Sequence, residues 1–151
     1  MDSEITQAPE LAQVDENFAR AVPAAILAAI LGAIIWAAVG YFSGMSLGLI
    51  AILVGAMVGY AVRRVGKGTD RKFGYLGGAA AAFGWALGTW LCDIGLLAKE
   101  VGRPILDVFA SIGLTNSVAF AFRAADVMDL LFLAFAVYEG YRFALRHRTT
   151  S

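Results

Sequence analysis

Near the C-terminal end of the chain, three carboxylates are the side chains best placed to do chemistry. Asp126 and Asp129 precede, and Glu139 follows, the uncharged run Leu130 to Tyr138. An acid carried into hydrocarbon costs several kcal/mol, about 3 on the most lenient insertion scale, so acids kept at a membrane margin are candidates for a proton or cation relay. The same residues have a plainer reading. Arg123 lies three and six residues before the aspartates, and Glu139 lies three before Arg142, so both groups have a cation within reach for local ion pairs that would fix the depth of a helix. Asp129 and Glu139 are ten residues, roughly 15 Å, apart along a helix, and a relay between them needs partners from elsewhere. The only other acid within an apolar stretch is Asp93.

Other chemistries fail on composition. Cys92 is the single cysteine and His147 the single histidine, which excludes an internal disulfide and any cluster with metal-ligand spacing, so no metal or cofactor is expected. No serine stands in a Gly-x-Ser-x-Gly elbow. Gly66-Lys67-Gly68-Thr69 resembles a phosphate loop only superficially, because Gly68 follows the lysine where a P-loop has Ser or Thr. An enzyme is not expected. Twelve basic and twelve acidic residues give a net charge of zero, which offers nothing to nucleic acid. The bases Arg63, Arg64, Lys67, Arg71 and Lys72 do cluster, and near a membrane surface each can attract an anionic lipid headgroup by about 1 kcal/mol.

The elements that must carry these residues are helices in lipid. Hydrophobic residues make up 60% of the 151 and the mean hydropathy is +0.71, well above a soluble domain. Residues 1–20 form an acidic segment in which Leu11, Val14 and Phe18 can line one face of a short surface helix; a disordered tail fits equally. A first span covers Ala21 to Phe42, a second Leu47 to Val62, a third Phe73 to Leu97 and a fourth Ala124 to Leu145. Between the last two, residues 104–122 are too short and too polar to cross about 30 Å of hydrocarbon, which predicts an interfacial helix. Residues 146–151 are a basic tail.

Four spans put both termini and the loop between the second and third spans on one side. That side collects Arg20, Arg63, Arg64, Lys67, Arg71, Lys72, Arg142, Arg146 and Arg148, against Lys99, Arg103 and Arg123 opposite. The bias predicts cytoplasmic termini.

Glycine supplies the expected packing. Gly48, Gly55, Gly59 and Gly66, then Gly77, Gly84, Gly88 and Gly95, are both spaced seven, four, seven, which keeps each set within roughly 40° of one helix face. The spacing is palindromic, so antiparallel second and third spans would face Gly55 with Gly88 and Gly59 with Gly84 in a close-packed hairpin. Ala28, Gly32, Trp36 and Gly40 give the first span a small-residue face of its own, the expected surface for a second copy or a membrane-protein partner.

Tyr41-Phe42-Ser43-Gly44, Val54-Gly55, Val58-Gly59-Tyr60, Gly66-Lys67-Gly68, Phe73-Gly74, Met128-Asp129-Leu130-Leu131-Phe132 and Tyr138-Glu139-Gly140-Tyr141 together resemble a group of small bacterial four-helix membrane proteins without an assigned activity. The resemblance implies the inner membrane of a bacterium and no substrate. The expectation is an all-α polytopic membrane protein with a structural or interaction role, assembling through small-residue faces; a small channel or secondary transporter using the acids of the fourth span is the alternative.

Overall fold

The computed structural model describes residues 17–44, 49–124 and 126–145. The acidic segment up to residue 16, Gly48, and the tail with His147 lie outside them. Among the described residues the chain is all-helical: α1 (Phe18–Ser43), α2 (Leu49–Gly66), α3 (Arg71–Val101), α4 (Ile105–Ala124) and α5 (Val127–Ala144). Three of these, α1, α2 and α3, are long and apolar enough to cross a membrane.

Local chemistry sets the ends. The Asn17 side chain accepts a hydrogen bond from the Arg20 N–H at 3.0 Å and starts α1, three residues earlier than the sequence suggests. Pro23 therefore falls in the second turn and removes one backbone bond there. Gly44 and Gly102, both left-handed, stop α1 and α3. The backbone N–H of Asn17 donates to the Gly66 carbonyl at 3.0 Å, tying the start of α1 to the end of α2. Phe73, fully buried, fills this corner with its ring edge-on to Phe18 at 5.4 Å.

Contacts between helices give their directions. Gly32 of α1 lies against Val54 and Met57, and Ala21 against Gly66, so α1 and α2 are antiparallel. Gly84 faces Ala29, Gly88 faces Trp36 and Gly95 faces Tyr41, so α1 and α3 are parallel. Gly55 meets Ala136 and Gly59 meets Gly140, making α5 parallel to α2; Gly78 meets Val137 and Gly74 meets Tyr141, making it antiparallel to α3.

The glycines thus sit at helix contacts, but not in the expected pairs. Gly55 and Gly59 approach the backbone of α5, while Gly84, Gly88 and Gly95 approach α1. Two neighbouring helices share out the stripes because a seven, four, seven spacing defines a bare face without saying which helix covers it. Three helices meet closely around Gly140: a methyl built there would stand 2.6 Å from the Gly77 carbonyl oxygen and 2.7 Å from the Ala81 side chain, and one built on Gly59 would stand 2.7 Å from the Gly140 oxygen. The small face of α1 is also consumed inside the chain, since Ala28, Gly32, Trp36 and Gly40 are all buried. Along its middle α1 exposes aliphatic side chains, from Ile26 and Leu27 to Ile34 and Ile35, with Phe18 and Phe42 exposed at its ends.

The segment expected to be interfacial is α4, broken at Gly113 (φ 76°, ψ 163°). Both halves return to one residue of α3: the Trp90 ring stands edge-on to Phe109 at 5.9 Å, and its indole N–H donates to the Ser117 hydroxyl at 3.2 Å. Trp90 is thereby held by protein on both sides of the break.

Candidate functional site

The acids of α5 begin as backbone caps. Asp126 is the N-cap residue, its carboxylate accepting from the N–H groups of Met128 (2.8 Å) and Asp129 (3.0 Å), and Asp129 returns the bond by accepting from the Asp126 N–H at 3.0 Å. This reciprocal box satisfies N–H groups that a helix start leaves without partners. The ion pairs expected with Arg123 and Arg142 are not formed; among the described residues the one salt bridge joins Lys72 to Asp70 at 3.4 Å. Glu139 is half-buried, on the second turn from the end of α5.

A partner for Asp129 comes from α3. Asp93 is half-buried and lies close enough to Asp129 for the two charges to act on each other. Along α3, Trp85, Thr89 and Asp93 follow at four-residue steps and so share one side of the helix. The Trp85 indole nitrogen and the Thr89 hydroxyl are buried without a hydrogen-bond partner, as is the indole nitrogen of Trp36. Buried polar atoms are almost always bonded, and a deep group left open has capacity for water or a polar solute. The chemistry these groups can support is transient holding of a proton or small cation by either carboxylate. It offers no nucleophile, since Cys92 is fully buried in the core. Among the described residues no three His, Cys, Asp or Glu side chains come together as a metal site.

The basic cluster divides. Arg63, Arg64 and Lys67 line one cleft with Tyr60 at the end of α2. Lys72 is engaged with Asp70 and with the ring of Phe73, and neither it nor Arg71 reaches the cleft.

No family model, curated protein or solved structure matches the chain. The resemblance stated above therefore brings no activity with it, and the functional reading stands on geometry.

Two features went unread in the sequence although a signal for each was there. Asp126-x-x-Asp129 before an apolar run has the spacing of a capping box. Ala136, Gly140 and Ala144, the buried residues of α5, are a small-residue stripe at four-residue intervals, overlooked beside the acids.

Proposed function

We propose that the chain is a four-span protein of the bacterial cytoplasmic membrane, with α5 as the fourth span and both termini cytoplasmic, and that its role is structural: a rigid helical domain that holds or scaffolds a membrane-protein partner or a second copy. The observation that carries this reading is the seating of α5. It lies parallel to α2 and antiparallel to α3, with the backbone at Ala136 and Gly140 against bare backbone of both. Its 18 residues extend about 27 Å, close to the thickness of hydrocarbon. Close approach of backbones is how helices associate in lipid, where apolar burial between them gains little. The broad aliphatic exterior of α1 suits lipid or a partner's span. The test is native electrophoresis and in-membrane cross-linking of the full chain after mild solubilisation. A defined complex is the expected result; a monomer in every mild detergent, with no cross-linked partner, would end the scaffold reading.

The second reading, a small channel or transporter, is favoured by the electrostatic influence of Asp129 on Asp93 and by the unpartnered Thr89 and Trp85 on the same side of α3. It replaces Glu139 by Asp93 as the partner of Asp129. Proton- or cation-dependent flux in liposomes should vanish with Asp93→Asn, and the relay is wrong if flux is the same in that variant.

A further inference from the structure

We propose that the cleft at the end of α2 binds the phosphate of an anionic phospholipid. Tyr60, Arg63, Arg64 and Lys67 line a cavity of about 390 Å³, and three cations enter it with no carboxylate among the lining residues. The Arg64 guanidinium donates to the Tyr60 hydroxyl at 3.0 Å, which holds it over the cleft and leaves its remaining donors open, while Arg63 is half-buried. Like charges brought together without an acid repel one another, and a phosphate would relieve that repulsion while accepting charge-assisted bonds from each. Basic residues in a last turn also answer the partial negative charge of a helix end, but that is about half an elementary charge, too little for three cations.

Lys67 gives a second, independent sign. It occupies a left-handed conformation (φ 50°) and donates its N–H to the Arg63 carbonyl at 3.1 Å, closing the turn after α2. Glycine adopts that conformation freely and would be the ordinary residue there, as Gly44 and Gly102 are at the ends of α1 and α3. A lysine stands there instead, and its backbone turn sets the third cation at the cleft.

The source of the phosphate follows from what lies below. Leu49, Leu53 and Tyr60 are exposed and, with Arg64, fall within one narrow face of the helix, at whose end Lys67 joins the cleft. An apolar track running up to a basic cleft fits an acyl chain with its headgroup, which free phosphate lacks. This rests on α2 crossing a bilayer, and resistance of the chain to alkaline carbonate extraction checks that reading by itself.

The experiment is native mass spectrometry of the full chain in detergent, titrated with dioleoyl phosphatidylglycerol, with dioleoyl phosphatidylcholine, or with inorganic phosphate. Wild type should hold phosphatidylglycerol in preference to phosphatidylcholine. Arg63→Gln with Lys67→Gln should weaken this about thirtyfold, taking two cations at about 1 kcal/mol each. Arg71→Gln with Lys72→Gln removes equal charge from the same side outside the cleft and should leave binding within about twofold on the same scale. Equal losses in the two double variants would overturn the site in favour of diffuse attraction. Inorganic phosphate competing as well as the lipid would overturn the lipid source. Equal retention of the two lipids by wild type would overturn the proposal without recourse to any variant.

Discussion

Replacing Gly140 by alanine tests the packing where α3 and α5 meet backbone to backbone. The added methyl would meet a carbonyl oxygen of α3 at 2.6 Å and the Ala81 methyl at 2.7 Å. Ordinary contacts begin near 3.4 Å, so α3 and α5 must part by several tenths of an ångström, and both obstructing atoms are fixed to backbone. Overpacking of this kind costs up to about 3 kcal/mol, whereas exchanging glycine for alanine inside a helix returns about 1 kcal/mol. The expected balance is a loss of about 2 kcal/mol. Gly78→Ala is the matched control on the facing helix: its methyl would stand 3.3 Å from the Val137 carbonyl and 3.4 Å from the Val137 side chain, so the helix preference prevails and stability holds or rises. Cys92, the single thiol and fully buried, supplies the assay, as its rate of alkylation in the detergent-solubilised protein reports opening of the core. Gly140→Ala should accelerate labelling and Gly78→Ala should not. If Gly140→Ala labels no faster than wild type, α3 and α5 do not pack backbone to backbone.

Asp126→Ala removes the cap of α5 and should cost about 1 kcal/mol by the same thiol assay, with Asp126→Asn nearly neutral. Asp129→Asn weakens the returning half of that box, so for flux measurements Asp93→Asn is the cleaner substitution. Gly113→Ala forces a side chain into a conformation open essentially to glycine alone and should cost about 1–3 kcal/mol; faster limited proteolysis within α4 while α1–α3 stay protected is the expected pattern. Lys67→Gly should stabilise the lipid-free protein by about 1 kcal/mol, relieving the left-handed lysine, while weakening retention of phosphatidylglycerol.

Helix existence was legible because long uncharged runs leave little else for a chain to do in lipid, and the bounds of α1, α2 and α3 fall within a few residues of those read from Ala21, Leu47 and Phe73. Partner choice was not legible. The glycine spacing marks bare faces, and the palindrome suggested that the two faces cover each other. Instead Gly55 and Gly59 meet α5 and Gly84 and Gly88 meet α1, because a helix with two neighbours can divide a stripe between them. The acids illustrate another limit. Their positions suggested ion pairs with Arg123 and Arg142, but a carboxylate at a helix start has N–H groups nearer than any flexible arginine, and Asp126 and Asp129 bond to those. The proximity of Asp93 and Asp129, thirty-six residues apart, is set by the antiparallel course of α3 and α5, which no local pattern carries.

The closure between Asn17 and Gly66 bears on how the protein is made. Once residue 66 has been synthesised, α1 and α2 can form a finished hairpin joined at its open end. The groove bounded by Gly55, Gly59 and Gly77 is filled only by α5. On the four-span proposal, α1, α2 and α3 therefore wait during biosynthesis with bare backbone turned to lipid. A chain stalled before residue 144 would present that unfilled groove to whatever quality-control protease or chaperone surveys the membrane.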